Sequence, residues 1–251
     1  MDLGLDGRTV IVTGASGGLG RHIARGFAAE GADVVLTYHR AKSDAEQLAK
    51  EIGERTLAVR YALDDADAAG ALVEAALAWT GRIDVLVNNA VDWGSDEPSP
   101  DRPFEAVPDT DWLRVLRANT EGALRLSRAV APAMRQRRWG RLVHISSSIA
   151  VDGMAGAEYY ATAKAALHGF SRSAAFSLGR DGDILSNVVM PGLTRTETNV
   201  AITDAAGHHF SALAPIGRLL DAPEVAVPVV YLGSAANTGV TGQVIAVTGG
   251  S

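Results

Sequence analysis

Early in the chain an apolar, β-branched run, Thr9-Val10-Ile11-Val12-Thr13, leads through Gly14-Ala15-Ser16-Gly17-Gly18-Leu19-Gly20 into a helical pattern that stops at Gly31. Few folds accept this order. A run that is apolar at consecutive rather than alternate residues suits a strand buried on both faces, as in a parallel sheet covered by helices. The glycines let the backbone turn and come close to a ligand. The helix that follows offers unpaired N–H groups and the positive end of its dipole, so the combination predicts a diphosphate site. The spacing Gly14-x-x-x-Gly18-x-Gly20 is wider at the front than the usual Gly-x-Gly-x-x-Gly.

The same alternation continues. Strands are predicted over residues 33–37, 56–61, 83–87, 142–145, 184–190 and 243–247, and helices from after Ser43 through about Ile52 and over residues 65–80, 111–136 and 223–235, with a further helix carrying Tyr160 and Lys164. Residues 91–108, rich in Pro, Asp and Ser, form a long loop rather than a linker, because the alternation resumes beyond them. The expected fold is α/β, a single-domain Rossmann-type doubly wound parallel sheet of about seven strands with helices on both faces, spanning residues 1–251. Residues 193–215 are polar, threonine-rich and irregular, and are predicted to form a substrate lid with a short helix. His208-His209 within them has no partner at metal-like spacing, so no metal is expected.

The formal charge of -6 argues against a nucleic-acid partner, which calls for a basic surface. The absence of cysteine excludes disulfides and thiolate chemistry. Neither a signal-like N-terminus nor a run of 18 apolar residues is present, so a cytoplasmic protein with no membrane partner is expected.

The chemistry concentrates between Arg141 and Phe170. An apolar run ends at Ser146-Ser147-Ser148, and an alanine-rich helical stretch follows with Tyr160 and Lys164 four residues apart on one face. A phenol beside an ammonium is a proton donor whose pKa the positive charge pulls down, and a serine hydroxyl from a strand end completes a carbonyl-reducing site. Tyr159 is a poorer match, because Lys164 is five residues from it. Elsewhere, Asn88-Asn89-Ala90 ends the fourth strand, where paired amides can tie strands together and line a cofactor edge. Asn119 sits inside a helix, where it can hold a water through a disturbed backbone. After the second strand no acid appears from Val34 through Ser43, whereas Arg40 and Lys42 do, which favours NADP(H) over NAD(H).

Taken with Pro191-Gly192, Ile216-Gly217-Arg218 and Thr241-Gly242-Gln243, these motifs make the chain resemble the short-chain dehydrogenase/reductase family nearly end to end, in particular its 3-oxoacyl-acyl-carrier-protein reductase subgroup. The resemblance implies a catalytic set of Asn119, Ser147, Tyr160 and Lys164. Ser147 is preferred among the three serines because it lies thirteen residues before Tyr160, the family's usual interval. Ser147 would polarise a carbonyl and Tyr160 would donate the proton. Lys164 would hold the nicotinamide ribose and lower the tyrosine pKa, and Asn119 would support a water relay. The resemblance further implies cofactor contacts from Gly14, Ser16, Gly18, Leu19 and Gly20 of the turn, and from Leu63 and Asp64 at the adenine. Asn89, Pro191, Gly192, Thr194 and Thr196 would contact the nicotinamide end and diphosphate, with Tyr160 and Lys164 also touching cofactor. Relatives are commonly tetramers, so a homotetramer or homodimer is implied.

Three departures bear on substrate. Val91 stands where a glycine usually follows Asn-Asn-Ala, crowding the backbone there; Ala62 replaces a common adenine-contacting Asp; and the loop between Asn88 and Asn119 is about six residues longer than the family pattern and carries Trp93. The expected activity is NADPH-dependent reduction of a ketone, β-ketoacyl or cyclic and polyketide-like, to a secondary alcohol. The alternatives are an NAD-dependent secondary-alcohol dehydrogenase and a non-catalytic dinucleotide sensor or scaffold.

Overall fold

The computed structural model describes residues 2–94 and 101–250. In chain order the elements begin β1 (Thr9–Val12), α1 (Gly18–Ala29), β2 (Asp33–Tyr38), α2 (Lys42–Ile52), β3 (Thr56–Arg60), α3 (Ala68–Thr80) and β4 (Val85–Asn88). The middle of the chain forms α4 (Asp109–Leu116), a π-turn (Arg117–Glu121), α5 (Gly122–Arg137), β5 (Trp139–Ile145), α6 (Ile149–Asp152) and α7 (Glu158–Leu178). It closes with β6 (Asp183–Pro191), β7 (Thr194–Arg195), α8 (Val200–Leu213), β8 (Leu220–Asp221), α9 (Ala222–Leu232) and β9 (Val244–Val247).

Seven strands form one sheet in the order β3-β2-β1-β4-β5-β6-β9, every pairing parallel, while β7 and β8 pair separately. The consecutive apolar residues of β1 are explained by the two cores. Val10 and Val12 enter one core with Ile23, Phe27, Val225 and Val229 of α1 and α9, whereas Ile11 enters the other with Leu72, Leu126, Val130 and Met134 of α3 and α5. A strand covered on both faces has no polar side to present. Strand order reverses between β1 and β4, so the crevice at their C-terminal ends is where a doubly wound sheet places its ligand.

The structure moves some expected boundaries. Helix α3 starts at Ala68 with Asp67 as its N-cap, because the Asp65 carboxylate instead closes a turn by accepting from the Asp67 N–H at 2.9 Å. The expected helix over 111–136 is interrupted by the π-turn, and α8 is fourteen residues long rather than short. Residues 95–100 of the long loop lie outside the described residues. His208 and His209 are exposed on α8, and among the described residues no group of His, Cys, Asp or Glu could hold a metal ion.

Candidate active site

The glycine turn is built as its composition requires. Gly14 has φ +63°, a region that side chains rarely adopt, and a Cβ on Gly20 would lie 2.2 Å from the Gly14 carbonyl oxygen. The turn folds onto the start of its own helix. No side chain caps α1 at Gly17, so the first N–H groups of the helix, including those of Gly18, Leu19 and Gly20, point out of the turn with the positive dipole end behind them. Ser16 is partly exposed on the same turn.

Thr13 and Asn89 fasten this turn to β4. The Thr13 hydroxyl accepts from the N–H groups of Asn89 and Ala90, both at 2.9 Å, and the Asn89 amide donates to the Thr13 carbonyl at 2.8 Å. Asn89 therefore reaches the turn itself. Asn88 points the other way, into the core, where its amide lies 3.0 Å from Ser127 Oγ and 3.1 Å from His144 Nδ1. At the end of β2, Arg40 is exposed and its guanidinium forms none of the ion pairs found among the described residues, whereas Lys42 pairs with Glu46. Leu63 and Asp64 follow β3, the first partly buried against Gly122 and the second exposed.

Ser147, Tyr160 and Lys164 come together at the C-terminal ends of β5 and β6. The Ser147 side chain faces Tyr160 closely enough to act on its phenol. Ser146 is turned away, its hydroxyl engaged by the Lys164 carbonyl and by His168 Nε2 at 2.8 Å, and Tyr159 donates to the Phe104 carbonyl at 3.0 Å. Geometry thus separates Ser147 and Tyr160 from their neighbours. Burial pushes the Tyr160 phenol up to about 12, with Ser147 drawing it back in part. The expected depression by Lys164 does not appear. Lys164 Nζ is fully buried, donates to the Ile145 carbonyl at 2.9 Å, and lies 5.7 Å from the Tyr160 ring centroid, so desolvation of the phenol outweighs the ammonium. Desolvation also lowers the lysine itself, to about 8.

Asn119 is buried in the π-turn, where the i to i−4 ladder is locally displaced. Its side chain acts as a clamp. The amide donates to the carbonyls of Asp92 at 2.6 Å and Val115 at 2.9 Å, and the amide oxygen accepts from the Asp92 N–H at 3.1 Å. The Asp92 carboxylate in turn accepts from Nε and Nη2 of Arg114 at 3.0 and 2.8 Å. Neither Asp92 nor Arg114 is singled out by the sequence, since a charge pair 22 residues apart carries no periodic signal. Trp93, the next residue, stacks on Tyr160 with ring centroids 4.2 Å apart and planes 24° apart. Val91 is exposed and does not adopt positive φ.

Pro191 ends β6, and the Gly192 N–H donates to the Val247 carbonyl. Thr194 is buried with its hydroxyl on the Gly192 carbonyl, and Asn199 holds this segment by bonding the Thr194 carbonyl at 2.8 Å and the Thr196 N–H at 2.9 Å. Thr196 and Thr198 sit against Gly18, where an added Cβ would lie 2.7 Å from either hydroxyl. His22 Nε2 of α1 and Glu197 are 2.9 Å apart, which spans from the glycine helix to the segment after β7.

Turn, amides, serine, tyrosine, lysine and π-turn asparagine thus line one end of the sheet. Residues 14–251 match the family model described as Enoyl-(Acyl carrier protein) reductase. The chain is 34% identical over 248 residues to the 3-oxoacyl-[acyl-carrier-protein] reductase of Salmonella typhimurium, covering 99% of this chain and 98% of that protein. It is 35% identical over 252 residues to the L-rhamnose 1-dehydrogenase (NAD(P)(+)) of a Sphingomonas species, covering 98% and 96%. Among solved structures, a dehydrogenase/reductase from Sinorhizobium meliloti superimposes with a TM-score of 0.88 at 30% identity, covering 99% of this chain and 96% of that one. With its sheet order, its ordered motifs and relatives matched along nearly the whole length, the chain belongs to the short-chain dehydrogenase/reductase family of NAD(P)-dependent oxidoreductases.

Proposed function

We propose that the protein is an NADPH-dependent ketoreductase in which Tyr160 donates the proton that completes a secondary alcohol, with residues 1–251 acting as one catalytic domain. The observation that carries this reading is the placement of the Tyr160 phenol beside the Ser147 side chain, with Lys164 buried beneath the tyrosine. A dinucleotide fits the crevice: the α1 terminus is uncapped, Gly20 has no room for a Cβ, and Arg40 is exposed with no ion pair among the described residues where a 2′-phosphate would need a cation. Gly14, Ser16, Gly18, Leu19 and Gly20 would hold the diphosphate, with Leu63 and Asp64 at the adenine. Asn89, Pro191, Gly192, Thr194 and Thr196 would lie along the remainder. When bound, the cofactor supplies the hydride.

Ser147 would hydrogen-bond the substrate oxygen and stabilise the charge that grows on it. A phenol raised to about 12 keeps its proton through the neutral range, which suits the donor in reduction. As the proton leaves, the Lys164 ammonium and the Ser147 hydroxyl would stabilise the phenolate. The Asn119 side chain is committed to Asp92 and Val115, so its part in a water relay to Lys164 would run through the backbone of the π-turn. Residues 193–215 would act as the lid, with α8 over the substrate. The similarity to a rhamnose dehydrogenase favours alcohol oxidation as the second reading. We also place the enzyme in the cytoplasm as a homotetramer or homodimer. The groove between α5 and α7, lined by Leu124, Ala131, Phe170 and Leu178, supports a subunit contact there. Among the described residues no helix is long and apolar enough to cross a membrane.

Steady-state assays with NADPH and NADH on a ketone panel test the assignment. Tyr160→Phe is expected to abolish reduction while NADPH still binds, and Tyr159→Phe to keep substantial activity; the opposite pattern refutes the site. Arg40→Asp is expected to weaken NADPH by about tenfold or more, as loss of a charge-assisted contact implies, with NADH little changed. Equal loss for both cofactors refutes the 2′-phosphate assignment.

A further inference from the structure

Building on the ketoreductase reading, we infer that Trp93 sets the substrate specificity of this enzyme, and that the substrate is an uncharged ketone bearing a flat aryl ring next to its carbonyl. One face of the Trp93 ring covers Tyr160, and the residue is nonetheless 48% exposed, so the indole also presents surface to whatever enters. A carbonyl oxygen within reach of the Tyr160 hydroxyl brings its own substituents beside that indole. A planar ring can continue the stack begun by the two aromatic side chains, whereas a puckered or branched group of equal size cannot.

The indole is held in place before any substrate arrives. Asp92 is clamped through both its backbone N–H and its carbonyl by the Asn119 amide, and through its carboxylate by Arg114. The Asp92 carboxylate also accepts from the Gly94 N–H at 2.8 Å, closing a tight turn with Trp93 at its apex. Gly94 has φ +88° and faces Val115 of α4, so glycine suits this turn. A second stacked pair, Trp112 on Tyr159 at 5.5 Å and 18°, runs alongside the first. Tyr159 meanwhile bonds the Phe104 carbonyl, fixing the far end of the loop to α7. Glu105 and Asp109 are exposed near that end, and such carboxylates disfavour an anionic substrate. Arg114 is accordingly a positioning residue and Trp93 the surface that selects.

Acetophenone and cyclohexyl methyl ketone share a carbon skeleton and differ in planarity. With the full-length enzyme and NADPH or NADH, kcat/KM is expected to favour acetophenone by about fivefold, the ordinary value of one aromatic stack, even though conjugation makes its carbonyl less electrophilic. Trp93→Leu should bring the ratio to one or below with the aliphatic ketone still reduced, Trp93→Phe should keep most of the preference, and the change should appear in KM. A charged analogue, 4-acetylbenzoate, should be a poorer substrate than acetophenone. A wild-type ratio at or below one, a ratio unchanged in Trp93→Leu, or reduction of aliphatic ketones alone overturns the inference and leaves the ketoreductase intact. If no ketone is reduced with either cofactor, the proposed function falls with it.

Discussion

Lys164→Met should stabilise the folded protein while removing its activity. Lys164 is 3% exposed and its ammonium donates to the Ile145 carbonyl at 2.9 Å, and burial lowers its pKa from 10.5 to about 8. A base whose folded pKa lies below its unfolded pKa is charged in both states below the lower value, where its burial penalty is felt in full. That penalty fades as pH rises from about 8 toward the unfolded value, because the unfolded chain keeps a proton that the folded one has released. The two pKa values correspond to a penalty of about 3 kcal/mol at pH 7 and about 1.4 kcal/mol at pH 9.5. Methionine keeps the length of the stem and removes the charge. It also removes a hydrogen bond, which returns about 1 to 2 kcal/mol of cost, so the net gain at pH 7 is about 1 to 2 kcal/mol.

The decisive quantity is the difference between the two pH values. Whatever the hydrogen bond contributes is common to both, so the stability gap between variant and wild type should shrink by about 2 kcal/mol from pH 7 to pH 9.5. The raised phenols of Tyr61 and Tyr160 titrate in both proteins and cancel in that comparison. Urea unfolding followed by circular dichroism, at one fixed protein concentration so that any assembly contributes equally, measures the gap. A gap that is constant between the two pH values would mean that Lys164 is not held at a lowered pKa, and the account of its burial would be refuted.

Two further outcomes follow from the same geometry. His144 is fully buried beside Lys164 and Phe170 with Nε2 unpaired among the described residues, and burial lowers it to about 4, so its stabilisation is complete above the unfolded value near 6.5 and is lost as pH falls toward 4. Wild type should lose about 2 kcal/mol between pH 7 and pH 5 through this group, and His144→Leu should lack that component; identical acid dependence of the two urea midpoints would refute it. Gly20→Ala, whose Cβ meets the Gly14 carbonyl at 2.2 Å, should destabilise by about 2 kcal/mol or more and abolish NADPH binding in a fluorescence titration. Gly70→Ala in α3, where a Cβ meets nothing within 4 Å, should instead stabilise by about 0.5–1 kcal/mol. If both glycine variants shift the urea midpoint the same way, the steric argument fails.

What the sequence discloses depends on how local the signal is. The order of strands and helices was legible because strands such as β1, β2 and β4 are dominated by apolar residues that stand out, and the two cores explain why the apolar run of β1 does not alternate. Tyr160 and Lys164 were legible because a helix brings residues four apart to one face. The start of α3 was not, because Asp64, Asp65 and Asp67 all suit a cap and a single hydrogen bond from the Asp67 N–H decides among them. The raised pKa of Tyr160 is not legible for a related reason. Proximity of an ammonium can be read from spacing, but desolvation depends on what covers the ring, and Trp93 comes from a loop 67 positions earlier. The clamp of Asp92 by Asn119 and Arg114 was equally invisible, since it joins a loop residue to two helical positions that no periodicity relates.

The two edges of the sheet treat buried charge in opposite ways, and that contrast is itself an argument for where the chemistry lies. At the N-terminal edge, the fully buried Asp84 accepts from the Thr9 N–H and from Arg8 and Arg82. Arg141, equally buried, donates to Asp183 and to the carbonyls of Gly140, Ser234 and Asn237, while the Trp139 ring lies 3.5 Å from the Arg8 guanidinium and 4.3 Å from that of Arg141. Charges so fully paired tie strands together and have little capacity left for a ligand. At the C-terminal edge, Lys164 sits buried on one carbonyl, the His144 Nε2 has no partner among the described residues, and the helix holding Asn119 gives up its regular ladder. Folding alone would select against each of these, because a buried group without its full set of partners costs free energy. Their concentration at the edge where the strand order reverses follows if that edge is shaped to bind a dinucleotide and a carbonyl. A stabilising substitution such as Lys164→Met should therefore be found there, and removing one partner from the paired charges at the opposite edge, as in Asp84→Asn, should destabilise the fold.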